Sequence, residues 1–338
     1  MPFKTHAMVM RQSGTSDVLE PREIDLPWDP EGSEVLVRLT VAGVNPADTF
    51  FRAFGPYEGS AEGCILGHDG AGIVQAVGAK TTGILPGDRV CFCYGGVGVS
   101  AGTYAQHAVV PSEVVVPVPD EVPLEDAAAI ALVFITGWEA MVERAGVASG
   151  DRVLIHDGAG GTGQIATQIA RAMGARVATT VSSPEKARLS RAAGAECVIN
   201  YREDDFVAAV MAWSEGQGVR AVLDNIGGEG FQQSLRVLSP YGQMVTLMGT
   251  PGDLEDGTAY NANLTIHNVM MLTPMWKGLR PHLIRQAQIL RRAVQWLAEG
   301  KVFVPIQARF PLEDVAHAHD LLEGAHGSGK IILTMPIP

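Results

Sequence analysis

A glycine-rich loop at a strand-to-helix junction constrains the fold of this chain more than any other feature. The apolar run Val153–Ile155 leads through His156 and Asp157 into a G-x-G-x-x-G segment, and an amphipathic pattern follows it. In such a loop the first glycine permits a tight turn, the second lets the backbone approach a pyrophosphate, and the third lets the helix pack on the strand. We assign the cofactor contacts of the loop to Gly158, Gly160, Gly161, Thr162 and Gly163.

A glycine motif alone is also compatible with a tight turn that binds nothing, so the flanking pattern has to decide. After residue 151, apolar strand candidates alternate with helical patterns, which is typical of a parallel sheet covered on both faces. The strand candidates are Val153–Ile155, Arg176–Val181, Cys197–Asn200, Ala221–Ile226, Met244–Met248 and Val269–Leu272. The helical patterns are Gln164–Met173, Pro184–Ala193, Asp204–Trp213 and Phe231–Leu238. Six such strands predict a doubly wound dinucleotide-binding fold.

The rest of the chain does not show this alternation of apolar strands and helices. Before about residue 125, short β-rich runs such as Glu34–Val41 alternate with glycine and proline turns, which predicts a compact β-barrel-like domain. The C-terminal part contains a helical pattern, Pro281–Glu299, a strand candidate near Val302–Val304, a short helical pattern, Leu312–Leu322, and a final strand, Lys330–Thr334. It has no obvious core of its own, so we expect it to return to the first domain.

The end of the second strand candidate bears on the choice of nucleotide. An NAD site places an acidic residue there to accept from the ribose 2′-hydroxyl. Here Arg176–Val181 leads into Ser182–Lys186, and the strand end itself carries no acid, since Glu185 already belongs to the first turn of the following helix. Ser182 can donate to a 2′-phosphate and Lys186 can neutralise it. The same residues are also compatible with an ordinary helix start that carries a solvated lysine. Ser183 as N-cap and Pro184 at the first helical position predict where the helix begins.

Composition excludes several other classes of protein. The formal net charge is −12, which disfavours nucleic-acid binding through a broad basic face. The longest apolar stretch, residues 127–135, is far shorter than a membrane span, and no secretory signal is visible at the N-terminus. The four cysteines are too few for a disulfide framework, so we expect a cytoplasmic location.

Blocks spread along nearly the whole chain resemble the zeta-crystallin-like quinone oxidoreductases of the medium-chain dehydrogenase/reductase superfamily. These blocks are Gly43–Thr49, Gly67–Gly72, Thr136–Trp138, the glycine loop, Thr180–Ser182 with Lys186, and Val198–Glu203. The resemblance implies an α/β protein with a GroES-like β-barrel domain (residues 1–128 and 276–338) and a Rossmann domain (residues 129–275). It also implies NADPH as cofactor and a homodimer or homotetramer.

The resemblance further implies roles for individual residues. Residues matching Ser182, Lys186 and Tyr201 hold the 2′-phosphate in the family, and those matching Asn45, Asp48 and Thr136 lie near the nicotinamide. We also assign Asn225, Gly249 and Lys330 to the cofactor site. Phe50 departs from the family, which often has tyrosine there, and Tyr57 is a candidate replacement for the missing hydroxyl.

The same resemblance argues against a zinc ion. Zinc-dependent relatives have cysteine at the position of Asn45, histidine at that of His68 and often cysteine at that of Leu132. Only the histidine survives, and Cys64 four residues before it makes a pair but no tetrahedral site. We therefore predict no metal.

Without a Lewis acid, hydride transfer to a conjugated acceptor is less demanding than alcohol oxidation. The first hypothesis is NADPH-dependent reduction of a quinone or an α,β-unsaturated carbonyl. The alternatives are an alcohol dehydrogenase and a non-catalytic NADPH-binding or redox-sensing protein. The predicted substrate is small and apolar, and it would meet Phe50, Phe54, Tyr57 and the segment 270–279.

Overall fold

A computed structural model describes residues 3–28, 31–55, 63–98, 100–253, 257–324 and 328–336. The strands are β1 (Phe3–Met10), β2 (Leu19–Leu26), β3 (Glu34–Val44), β4 (Cys64–Ile65), β5 (Asp69–Val77), β6 (Arg89–Cys93), β7 (His107–Pro111), β8 (Val116–Pro117), β9 (Arg152–Ile155), β10 (Arg176–Val181), β11 (Cys197–Asn200), β12 (Val219–Asp224), β13 (Leu238–Thr246), β14 (Thr265–Asn268), β15 (Ile306–Pro311) and β16 (Lys330–Thr334).

The α-helices are α1 (Pro46–Phe54), α2 (Leu124–Trp138), α3 (Gly161–Ala172), α4 (Pro184–Ala192), α5 (Phe206–Trp213), α6 (Gly228–Leu235), α7 (Thr258–Asn261), α8 (Thr273–Trp276), α9 (Arg280–Ala298) and α10 (Val315–Gly324). A π-helical segment, Glu139–Arg144, follows α2. The chain divides into two compact units, of which unit 1 comprises residues 1–132 and 272–338 and unit 2 comprises residues 133–271.

Unit 1 is built on two sheets. The larger has the order β15-β16-β3-β5-β6-β8, with β7 also paired to β3, and the smaller has the order β2-β1-β4. The long strand β3 is the centre of the larger sheet because β5, β7 and β16 all pair with it. The antiparallel pairing of β16 with β3 sets Ile331 opposite Val44, so the C-terminal strand ends up beside the start of α1.

Unit 2 is a six-stranded sheet of order β11-β10-β9-β12-β13-β14, and every neighbouring pair is parallel. Counted from β9 this is the 3-2-1-4-5-6 order of a dinucleotide-binding sheet. The central strands are almost wholly buried, and Leu154 and Val222 share an apolar core with Phe231 of α6. The glycine loop follows β9, where the strand order reverses.

The predicted α/β class with a GroES-like domain and a doubly wound parallel sheet is confirmed. Two strand predictions were wrong. The sixth strand of unit 2 is Thr265–Asn268, a more polar edge strand that pairs with β13. The apolar run 269–272 follows the end of this strand, and three of its four residues are buried while Met270 is exposed. Likewise Val302 and Val304 are buried outside any strand, and the next strand is Ile306–Pro311. Within the described ranges, no helix has the length and apolar character required to cross a membrane.

Candidate active site

The start of α1 places two predicted site residues in the interior of unit 1. Asn45 has an extended backbone and precedes Pro46, whose fixed φ suits the first helical position. The backbone N–H of Asn45 donates to Asp48 Oδ2 over 2.8 Å, and that of Gly67 donates to Asp48 Oδ1 over 3.1 Å. Asp48 therefore fixes the loop that enters the helix and ties it to the segment before β5.

The amide of Asn45 is held on both sides by charged groups. Its Nδ2 donates to Asp69 Oδ1 over 2.7 Å, and its Oδ1 accepts a short hydrogen bond from Lys330 Nζ. Because a carboxylate only accepts and an ammonium only donates, these neighbours fix the orientation of the amide. Lys330 Nζ also donates to Val44 O over 3.2 Å and lies 3.6 Å from Asp69 Oδ2.

His68 completes this group, which we call the buried polar cluster: Asn45, Asp48, His68, Asp69 and Lys330. His68 Nδ1 lies 2.7 Å from Gly95 O, which can only accept, so Nδ1 carries the proton. Its Nε2 lies 3.3 Å from Asp48 Oδ1. Burial raises the pKa of Asp48 and the charge of Asp69 adds to the effect, whereas His68 opposes it. One ammonium thus lies among two carboxyl groups and an imidazole in a site shielded from water.

A second layer of polar side chains lies against this cluster, and no motif or spacing pattern indicated it. Tyr104 OH lies 3.0 Å from His319 Nε2, and both residues are buried. Tyr104 also interacts with Asp48, and burial is the main reason why its pKa is raised well above the usual value. Burial lowers the pKa of His319 to about 3. Arg52 bonds Glu323 over 2.8 Å, so α1 and α10 are joined by a partly buried ion pair.

The residues of the buried polar cluster do not fit a zinc ion. The amide oxygen of Asn45 and a carboxylate oxygen of Asp69, the atoms a cation would take, face the ammonium of Lys330. Leu132 offers only its backbone N–H, which points at Asp69 Oδ2 over 3.4 Å. Across the part of the chain that the structure describes, no group of three or more His, Cys, Asp or Glu residues could hold a metal.

The glycine loop of unit 2 has the geometry of a phosphate cradle. A Cβ at Gly158 would lie 2.5 Å from Thr179 Cβ, and one at Gly163 would lie 2.0 Å from Asp157 O, so neither position accepts a side chain. Gly160 is the N-cap of α3, and Gly161, Thr162 and Gly163 form its first turn. Their N–H groups have no intrahelical partner, as at any helix start, and can receive an anion.

The predicted 2′-phosphate residues lie at the ends of two neighbouring strands. Val181 pairs with Asn200, and Tyr201 N donates to Val181 O over 3.1 Å, which sets Tyr201 next to Ser182. Ser183 Oγ accepts from Lys186 N over 3.2 Å, which confirms the predicted helix start. The pKa of Lys186 is lowered, mainly by burial. The negative charge of Asp157 opposes this shift, and the positive charge of Arg202 adds to it. Arg202 is therefore a second cation near Lys186, which sequence reasoning missed.

The remaining predicted residues are dispersed. Asn225 Nδ2 donates to His156 O over 2.9 Å at the end of β9, and Gly249 follows β13 with a positive φ of 84°. Thr136 is a buried residue of α2 and belongs to unit 2. Tyr57 lies outside the described residues. The structure therefore brings together Asn45, Asp48 and Lys330 in unit 1, and the glycine loop with Ser182, Lys186 and Tyr201 in unit 2.

A buried histidine connects the strand ends around the loop. His156 Nδ1 lies 2.9 Å from Thr180 Oγ1 and its Nε2 lies 2.7 Å from Ser234 Oγ. Burial lowers the pKa of His156 to about 4, so the ring is neutral at physiological pH. It links β9, β10 and α6 without adding charge beside the cradle.

A doubly wound sheet with a phosphate cradle, together with a GroES-like domain, is typical of pyridine-nucleotide-dependent oxidoreductases. Family models agree: residues 31–120 match the alcohol dehydrogenase GroES-like domain and residues 193–333 match the zinc-binding dehydrogenase family. The chain is 32% identical to a quinone oxidoreductase of Pseudomonas aeruginosa, over 95% of this chain and 96% of that one. It therefore belongs to the medium-chain dehydrogenase/reductase superfamily, among the homologues of quinone oxidoreductases, which confirms the resemblance.

The chain is also similar to a second single-chain reductase, to part of a much longer protein and to a solved dehydrogenase. The chain is 31% identical to a 2-haloacrylate reductase of Burkholderia, over 97% of this chain and 98% of that one. It is also 31% identical to part of a phenolphthiocerol/phthiocerol polyketide synthase of Mycobacterium tuberculosis, with 96% of this chain matched but only 14% of that protein. Among solved structures, an NAD-dependent alcohol dehydrogenase superposes with a TM-score of 0.87 at 29% identity, covering 98% of this chain and all of that one.

Proposed function

We propose that the protein reduces a quinone or an α,β-unsaturated carbonyl by hydride transfer from NADPH, without zinc. The observation that carries this proposal is the buried polar cluster, in which the ammonium of Lys330 faces the polar atoms that a metal would need. Two relatives whose names specify a quinone and a 2-haloacrylate, a conjugated acid, support the class of acceptor. As the resemblance implies, we propose a homodimer or homotetramer, and on the small number of cysteines we propose a cytoplasmic location.

NADPH is proposed over NADH because of the charges at the ends of β10 and β11. Lys186 and Arg202 lie near each other, and Ser182 and Tyr201 offer hydroxyl groups at adjacent strand ends. No acidic residue follows β10 directly to accept from a ribose 2′-hydroxyl. A doubly charged phosphate is the group that suits two cations with hydroxyl donors.

When bound, NADPH supplies the hydride. Hydride addition at the β-carbon moves an electron pair onto the carbonyl oxygen, and a proton from solvent then reaches the α-carbon. Asn45 cannot turn its amide towards that oxygen without leaving Asp69 and Lys330. We therefore propose that Asn45 and Asp48 position the loop before α1, and that Asp48, which would oppose a developing oxyanion, is not a donor.

The experiment uses NADPH deuterated at the transferable position and a simple enone. Deuterium at the β-carbon of a saturated ketone is the expected result. Deuterium at the carbonyl carbon of an allylic alcohol would instead establish an alcohol dehydrogenase, the second candidate, which the similarity to an NAD-dependent alcohol dehydrogenase favours. If the protein neither oxidises NADPH with any quinone, enone, aldehyde or ketone nor reduces NADP+ with any alcohol, it is a non-catalytic nucleotide-binding protein.

A further inference from the structure

The carboxyl group of Asp157 lies over the second glycine of the phosphate cradle. Asp157 links β9 to the loop with a left-handed backbone, φ 50°, which a short polar side chain tolerates. A Cβ at Gly160 would lie only 1.9 Å from Asp157 Oδ2 and 2.7 Å from its Cγ. The carboxyl therefore fills the space that the absent side chain of Gly160 leaves.

That space has a function in a loop of this kind. The second glycine lets the backbone approach a pyrophosphate, and the start of the following helix favours a negative charge. Here the N–H of Gly160 donates to the backbone oxygen of Asp157 over 3.0 Å and also stabilises the charged form of the Asp157 carboxyl. The chain thus places an anion of its own over the glycine that a pyrophosphate would approach, and two anions cannot occupy the same space.

The charged groups around Asp157 come from three elements. Lys186 of α4 attracts it, and Arg202 after β11 lies near Lys186. His156, the preceding residue, is neutral because burial lowers its pKa to about 4. Asp157 is open to solvent on one side, but desolvation on the other raises its pKa to about 6, against the effects of Lys186 and Gly160.

We propose that Asp157 competes with the pyrophosphate of the dinucleotide: its carboxyl must leave the space above Gly160, or take up a proton from solvent, before the nucleotide binds. The inference rests on the proposed use of a pyridine dinucleotide. It makes Asp157 a determinant of nucleotide affinity, and of how that affinity depends on pH, for NADPH and NADH alike.

The test measures the Kd of NADPH and of NADH by fluorescence titration from pH 5.5 to pH 8, without substrate. Asp157→Asn keeps the size of the side chain and its tolerance of positive φ, and Asp157→Gly empties the space. The control is Asp151→Asn at the opposite end of β9, where the carboxylate accepts from Ala148 N over 2.9 Å. Each variant is compared with the wild type at the same pH, because the 2′-phosphate of NADPH itself titrates near pH 6.

We expect Asp157→Asn to bind both nucleotides about tenfold more tightly at pH 8 and about twofold more tightly at pH 5.5, where the wild-type carboxyl is largely protonated. Asp157→Gly should bind at least as tightly, and Asp151→Asn should bind like the wild type. Equal or weaker binding by Asp157→Asn at pH 8 overturns the inference but leaves the proposed function intact. If neither nucleotide binds to the wild type or to any variant, the proposed function fails with it.

Discussion

The buried polar cluster of unit 1 and the glycine loop of unit 2 are both polar, but they treat their polar groups in opposite ways. In the cluster, Asn45 and Lys330 direct their hydrogen bonds to other groups of the chain. In the loop, glycines keep space open and the first turn of α3 leaves donors for a ligand. The polar groups of the cluster thus hold one another in fixed positions. In the loop, a bound ligand can replace contacts that the protein makes with itself.

The largest expected effect follows from removing the cation of the cluster. Lys330→Met should lower the free energy of unfolding by about 3–5 kcal/mol, because it leaves the buried carboxylate of Asp69 uncompensated. Urea unfolding measures this loss, and Lys330→Met combined with Asp69→Asn should recover part of it.

Lys301→Met is the matched control, since Lys301 pairs with Glu299 at an exposed site and should matter little. A loss below about 1 kcal/mol for Lys330→Met would show that the cluster tolerates an uncompensated charge, contrary to the comparison.

Acid should weaken the protein through its two buried neutral histidines. The pKa values of His156 and His319 are lowered to about 4 and about 3 by burial, so between pH 6.5 and 5 only the unfolded chain binds these protons. These two histidines should therefore contribute a fall of about 3 kcal/mol in the free energy of unfolding over that interval, and protonation of Asp157, whose pKa burial raises to about 6, offsets part of it. Urea titrations at the two pH values check the fall, and His319→Gln should remove about half of it. An unchanged fall in that variant would assign the acid sensitivity to other groups.

A smaller effect is expected at the nucleotide site, where the side chain of Lys186 would bind the ligand. Lys186→Ala should weaken NADPH binding by about 1.5–3 kcal/mol and leave NADH binding nearly unchanged, because only NADPH carries the 2′-phosphate. The ratio of kcat/KM for the two nucleotides measures this. Arg188→Ala, an exposed residue of the same helix, serves as the control. A wild type that prefers NADH contradicts the proposed cofactor.

The smallest expected effect is none at all. Chelators should not change activity, and elemental analysis should find no stoichiometric zinc, because an ammonium faces the polar atoms that a cation would need. About one zinc per chain, with activity lost on its removal, would contradict the proposed zinc independence.

The sequence predicts unit 2 better than unit 1, for a physical reason. Buried parallel strands such as Val153–Ile155 are continuous apolar runs. The glycine loop that follows this run identifies it as the first strand of the dinucleotide-binding sheet. The edge strand β14 was misplaced because an edge strand needs few apolar side chains. In unit 1, the contacts of Lys330 with Asn45 and of Tyr104 with His319 join residues 285 and 215 positions apart. Periodicity and motif spacing are local signals and carry no information on such pairs.

The antiparallel pairing of β16 with β3 also has a consequence for biosynthesis. Residues 133–271 form a continuous segment and can fold as soon as they leave the ribosome, since domains generally fold as units in the order of their synthesis. The sequence of unit 1 is interrupted by that of unit 2. Lys330, the cation of the buried polar cluster, lies on β16 and is therefore synthesised after all of unit 2. Until then Asn45 and Asp69 lack their cation, so we expect the buried polar cluster to form only after unit 2 has been synthesised.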